Sequence, residues 1–284
     1  PRRRRPPQHR SRRPRKPQAG LLLQLDGSPY AWFGPTQPAC SLLGAIDDAT
    51  GAVLAATFRC QEDAAGYLTL LRTLGQTVGL PAAVYTDAHG IFVRNDAHWT
   101  LAEQLQGYQT PTQVGQAFAA LAIAHLVAES PQAKGRIERL WNTLQDRLVA
   151  ELRLAGITTL AAGNVFLATI FLPAFSAQFA VPPALATAAY RPVPRGWDLD
   201  RLCAFHYARQ VAADNTVRVE EVRLQLLPGP GRRSYAKARA DVVQCLDGSW
   251  RVYVRDRLVA TLSAPPDPGQ LRARKRRPEG GHIH

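Results

Sequence analysis

Apolar and polar positions along this chain follow two different periods, and the change from one to the other marks out its elements. Residues 21–26 are a short apolar run ended by Asp26 and read as a strand. Residues 41–47 and 51–58 read as a hairpin around Asp48-Ala49-Thr50-Gly51, which makes Asp47 and Asp48 turn residues rather than ligands. From 62 to 78, Leu68, Leu71 and Leu74 recur at helical spacing, and Gly79 and Pro81 end the helix. Residues 82–86 form a second apolar run with Asp87 at its carboxyl end, the side on which open α/β sheets present their chemistry. Residues 90–111 show no clear period and are expected to form an irregular excursion. A helix over 112–121 and a short strand over 123–128 follow.

A long helix is predicted from Ser130, which suits the N-cap, with Pro131 at the first helical position. Ile137, Leu140, Trp141, Leu144 and Leu148 share one face of it, and Lys134, Glu138, Asn142 and Gln145 form a polar stripe beside that face. A second, unusually apolar helix covers 160 to about 179. Pro182-Pro183, Arg191-Pro192 and Pro194-Arg195-Gly196 then mark a linker. Beyond it the pattern shortens to strands over 217–227, 236–246, 250–255 and 258–262, with Asp247-Gly248 as a hairpin turn. This reads as a small antiparallel β-barrel with Arg232, Arg233, Lys237 and Arg239 near one loop.

At 284 residues and 46% apolar, the chain can bury one sizeable core and a small second one. Its formal charge of +13 is unevenly spread. Residues 1–20 hold nine Arg or Lys and no acid, and 270–284 hold five and one, so the stretch between them is balanced at 21 basic and 21 acidic residues. Such arms bury too little apolar surface to fold alone and gain free energy by displacing counterions from nucleic-acid phosphates. No apolar run is read as membrane-spanning and no signal peptide is found. Cys40, Cys60, Cys203 and Cys245 form no C-x-x-C pair and read as thiols in a reducing cytoplasm. There is no methionine, so a chain opening on Pro1 is expected to be a fragment.

Three acids, Asp26, Asp87 and Glu138, sit on two strand ends and the long helix. Taken singly, Asp26 before Gly27-Ser28-Pro29 is a turn former, Asp87 caps a loop, and Glu138 is a solvated helix residue. Taken together, they are hard oxygen donors of the kind that hold Mg²⁺, and two such ions activate the attacking oxygen and neutralise the leaving oxygen of a phosphodiester.

The segments Leu25-Asp26-Gly27-Ser28-Pro29-Tyr30, Tyr85-Thr86-Asp87-Ala88-His89-Gly90 and Ser130-Pro131-Gln132-Ala133-Lys134-Gly135-Arg136-Ile137-Glu138-Arg139 resemble the integrase-type DDE transposases of bacterial insertion sequences, especially the ISNCY group. The resemblance covers about residues 10–265. It implies an α/β fold: an RNase H-like core of five mixed strands flanked by helices, followed by the small β-barrel. The expected organisation is a basic arm (1–20), a catalytic core (21–180), a linker (181–201), the β-barrel (202–264) and a basic tail (265–284), with both ends unstructured.

Carried over by position, Asp26, Asp87 and Glu138 would be the catalytic and metal-binding triad for two Mg²⁺, with Mn²⁺ as a substitute. His89, Lys134, Arg232, Arg233 and Lys237 would contact DNA. The implied activity is DNA cleavage and strand transfer on transposon ends and target, by a homo-oligomer in the bacterial cytoplasm at the nucleoid, with no membrane partner. The alternatives are an RNase H-like nuclease that cleaves without joining, and a non-catalytic DNA-binding remnant.

Overall fold

A computed structural model describes residues 14–94, 96–97, 99–128 and 135–274. Its first half is built on five strands: β1 (Leu23–Tyr30), β2 (Cys40–Asp47), β3 (Val53–Arg59), β4 (Ala83–Thr86) and β5 (Ala124–Val127), in the order β3-β2-β1-β4-β5. β1, β2 and β3 form an antiparallel meander, whereas β4 runs parallel to β1 and β5 parallel to β4. Helix α1 (Ala64–Thr77) makes the crossover that a parallel return requires. Asp63 caps it, its carboxylate accepting from Gly66 N at 2.8 Å, and Gly79 (φ +103°) turns the chain out toward β4.

β2 is buried along its whole length because the sheet is covered on both faces. On one face Leu23, Leu25, Leu43 and Ala45 pack with Tyr67, Leu68 and Leu71 of α1 and Phe118 of α3 (Gln113–Ala120). On the other, Leu42, Ile46 and Phe58 meet Ile137, Leu144 and Leu148 of helix α4 (Gly135–Leu154). This is the mixed five-stranded sheet flanked by helices that an RNase H-like core requires. The predicted helix start at Ser130 and Pro131 lies outside the described residues.

Three differences from the sequence reading have physical causes. Asp26 does not end its strand: β1 runs on to Tyr30 against β2, and it is the parallel ladder to β4 that stops at Gln24–Tyr85. Residues 90–111 are irregular but contain a short helix, α2 (Leu101–Gln106), held by a Thr100/Glu103 capping box. The apolar helix Leu160–Phe179 is, by length and composition alone, long enough to cross a membrane. In the fold it is two α-helices, α5 (Leu160–Phe166) and α6 (Leu172–Phe179), joined by a π-helical turn where Pro173 has no N–H to bond back. Its Phe166, Leu167, Phe171, Leu172 and Phe175 are buried in the cluster shared with β3 and α4, while Val165 and Ile170 stay exposed.

After the short helix α7 (Leu199–Leu202), the second unit contains β6 (Phe205–Gln210), β7 (Thr216–Val219), β8 (Val222–Gln225), β9 (Arg239–Gln244), β10 (Trp250–Val254) and β11 (Arg257–Leu262). These make an open antiparallel sheet, β11-β10-β9-β6, and a separate hairpin, β7-β8, rather than a closed barrel. The predicted strand over 217–227 folds back on itself at Val219–Val222, where Glu220 takes φ +50°, and the hairpin lies against β6, β9 and β11 without joining their ladder.

The second unit shares one apolar cluster with the core, from Leu23 and Leu25 to Phe205, Val242 and Trp250. Segments read as unstructured also dock. Lys16 N donates to Asp48 at 2.9 Å, and Gly20 N donates to Asp47 at 2.7 Å. Leu271 is buried in the shared cluster, while Arg274 lies over the Trp250 ring.

Candidate active site

Alternation along β1 sends Leu23 and Leu25 toward α1 and Gln24, Asp26 and Ser28 toward α4. Two bonds fasten that second row to α4: Trp141 Nε1 donates to Asp26 Oδ2 at 2.9 Å, and Gln145 Nε2 donates to Ser28 Oγ at 3.2 Å. Four helical residues advance about 6 Å and two strand residues about 6.7 Å, so one helix can follow this strand. Gly44, opposite Asp26 on β2, leaves room for the indole: a Cβ there would stand 2.9 Å from the Trp141 ring.

Asp87 follows the last residue of β4. The β1–β4 register pairs Leu23 with Val84 and Gln24 with Tyr85, and extending it by two steps sets Asp26 level with Asp87. Both side chains are half-buried. Asp87 Oδ1 accepts from His89 N at 3.0 Å, and His89 Nδ1 accepts from Ile91 N at 3.3 Å, leaving Nε2 as the ring nitrogen available to a ligand. Behind Asp87, Thr86 Oγ1 donates to the Asp87 carbonyl at 2.8 Å, so its contact with His125 Nε2, also 2.8 Å, is one it accepts. Burial lowers the His125 pKa and so favours the neutral ring, with its proton on Nε2.

Glu138 lies in the first turn of α4, exposed, three residues before Trp141 and therefore beside it on the helix surface. Trp141 is thus the physical link between the third acid and the first. Among the described residues, no three His, Cys, Asp or Glu side chains stand close enough to hold one metal ion as they are. The structure brings Asp26 and Asp87 to neighbouring strands and leaves Glu138 exposed on the first turn of α4. As a donor set these are three hard carboxylates, the type that suits Mg²⁺ or Mn²⁺.

The expected DNA contacts are dispersed. Arg233 and Lys237 are exposed in the loop between β8 and β9, and Arg232 ends a 3₁₀ turn, Pro230–Arg232, in the same loop. Lys134 lies outside the described residues. Trp32 is fully buried against Phe58, and the half-buried Phe33 packs on Phe58 at 4.9 Å between ring centroids. Asp47 and Asp48 do hold the hairpin turn, Asp47 accepting from Ala49 N and Thr50 N, but both are buried and also anchor residues 16–20 and Tyr190.

Sequence reasoning missed a fourth acid. Glu62, between β3 and α1, accepts from Tyr67 Oη at 2.5 Å, and its carboxyl lies under Gly27, where a Cβ would come within 2.7 Å of it. Burial pushes its pKa up, as do the charges of Asp26 and Asp87, while the Tyr67 hydrogen bond and His89 pull it down. An acid one residue before a helix cap has no distinguishing spacing, so nothing in the sequence singled it out.

The five-stranded mixed sheet thus carries Asp26 on β1 and Asp87 just past the end of β4, with Glu138 on the helix that borders it. The chain is 38% identical over 240 residues to "Putative transposase y4bF" of Sinorhizobium fredii, covering 82% of this chain and 50% of that protein. It is 34% identical over 253 residues to the transposase for insertion sequence IS1202 of Streptococcus pneumoniae, covering 88% and 52%.

Over most of its length the chain is similar to these transposases, and it spans about half the length of the curated relatives it matches. Structural similarity is found to the catalytic core of BIV integrase (TM-score 0.35, 19% identity, 51% of this chain and 79% of that one). It is also found to the HTLV-2 integrase catalytic core in complex with magnesium (0.36, 16%, 54% and 89%). No protein-family model matches the chain.

Proposed function

We propose that this chain carries the strand-cleaving and strand-joining centre of a DNA transposase, with Asp26, Asp87 and Glu138 as the ligands of divalent magnesium. The observation that carries this reading is the β1–β4 register, which, extended two steps beyond Gln24 and Tyr85, sets the half-buried Asp26 and Asp87 level on neighbouring parallel strands. Magnesium bound there supplies Lewis-acid activation of the attacking oxygen and charge neutralisation at the leaving oxygen. Trp141 holds Asp26 in place, the His89 turn and Thr86 hold Asp87, and Glu138 completes the set from α4. His89 Nε2 is placed to meet a phosphate or a base at the cleft.

The reaction is in-line attack of water on the phosphodiester at the element's end, releasing a 3′-hydroxyl. That hydroxyl then attacks target DNA, with each leaving oxygen departing opposite its nucleophile. No covalent protein intermediate is needed. The basic arm and tail, with Lys134, Arg232, Arg233 and Lys237, supply phosphate contacts, and two copies of the chain pair the two element ends.

The test is strand transfer from a pre-nicked end oligonucleotide in Mg²⁺. Asp87→Asn abolishes product while leaving DNA affinity, which falls steeply with salt, close to that of the parent. A variant that joined DNA at the parental rate would overturn the assignment.

A further inference from the structure

We infer that Glu62, clamped by Tyr67, is a fourth acid of the catalytic cleft, positioned to accept hydrogen bonds from the water shell of the bound cation rather than to ligate the cation itself. This rests on the reading of Asp26 and Asp87 as cation ligands.

Three observations place it. Glu62 comes from the α1 face of the sheet, opposite the face that Asp26 occupies, and reaches the cleft at the point where Gly27 has no side chain to block it. At that level β4 has already ended, so the sheet is open beside β1. The carboxyl therefore lies beside Gly27, the residue after Asp26, at the end of the sheet where the β1–β4 ladder stops.

The clamp is built rather than incidental. Tyr67 is fully buried, its hydroxyl donates to Glu62 Oε1 at 2.5 Å, and its ring takes the edge of Phe92 at 4.5 Å between centroids. Phe92 N in turn donates to His89 O at 2.9 Å, and His89 N donates to Asp87. One chain of contacts thus runs from Glu62 through Tyr67 and Phe92 to the turn that orients Asp87. Partners of this kind around a metal site typically change its affinity about 10- to 100-fold.

The experiment measures Mg²⁺ affinity by calorimetry, and the melting temperature with and without Mg²⁺, on the full chain. Glu62→Gln keeps an acceptor for Tyr67 but removes the charge. Without cation it should melt at or above the parental temperature, because repulsion is relieved. Its Mg²⁺ affinity should fall on the order of 10-fold, with a smaller Mg²⁺-induced rise in melting temperature. Tyr67→Phe should weaken Mg²⁺ binding in the same direction, by less.

If Glu62→Gln binds Mg²⁺ as tightly as the parent while Asp87→Asn does not bind it, the role of Glu62 is refuted and the site stands. If Asp87→Asn also binds normally, the assignment of the site itself fails. Should Glu62→Gln melt well below the parent without cation and bind Mg²⁺ normally, Glu62 is a structural residue only.

Discussion

Trp141 Nε1 donates to Asp26 Oδ2 at 2.9 Å, joining the long helix to the central strand at the first acid of the site. The indole lies across Gly44, so one aromatic residue seals the core and aims a carboxylate. Trp141→Phe keeps most of the apolar contact and removes the donor. Its expected cost is about 1–2 kcal/mol in urea unfolding, with strand transfer falling by a larger factor than stability alone explains. Unchanged activity at equal stability would show that Asp26 needs no such partner.

Gly44→Ala tests the same contact from the other side. The added methyl would meet the Trp141 ring at 2.9 Å, closer than the ring can tolerate without moving. Overpacking of this kind costs about 1–3 kcal/mol, and the displaced indole should loosen Asp26. Thermal melts should show the loss, and the combined Gly44→Ala/Trp141→Phe variant should lose less than the sum of the two single changes.

His206 joins the two units and should make that joint sensitive to pH. Its backbone N–H and carbonyl form a two-way clamp with the Gln113 side chain of α3, and its ring bonds Asp241 and the Arg201 carbonyl. Burial works against the charged ring, but the Asp241 hydrogen bond and charge outweigh it, so the folded pKa lies above the ordinary 6.5. The stabilisation is therefore complete below pH 6.5 and is lost as pH rises through the folded value. Melting temperature should fall over that window in the parent, and His206→Gln should flatten the fall; an equal fall in both would remove His206 as its cause.

The core was largely legible because its signals are local. Residues 41–58 alternate and turn at Asp48-Ala49-Thr50-Gly51, and Leu68, Leu71 and Leu74 repeat at helical spacing, so β2, β3 and α1 emerge from period alone. The placement of Asp87 just past a strand and of Glu138 beside an apolar stripe was legible too. What escaped depends on contacts distant in sequence. Glu62 matters only because Gly27, 35 residues earlier, leaves space above it, and Trp141 is a donor only because Asp26 lies 115 residues away. The β7–β8 hairpin escaped because a continuous apolar pattern over 217–227 does not reveal the fold-back at Glu220.

The excursion between Asp87 and α3 should depend on Glu103. Its buried carboxylate pairs with Arg94 at 2.6 Å and accepts from Thr100 N and Thr110 N, and these backbone bonds hold its pKa far below the usual carboxylate range. That contribution is present above the ordinary carboxylate pKa and is lost as pH falls through the folded value. Glu103→Gln should increase proteolytic cutting within 94–110 at neutral pH, and cleavage equal to the parent would show that the segment is held by other contacts.

A divalent cation should bind where β1 and β4 part. Anomalous scattering from a Mn²⁺-soaked crystal should give a peak between the Asp26 and Asp87 carboxylates, within about 2.2 Å of an oxygen from each, with Glu138 turned toward it. Manganese bound elsewhere, with those two acids left unligated at saturating concentration, would contradict the account.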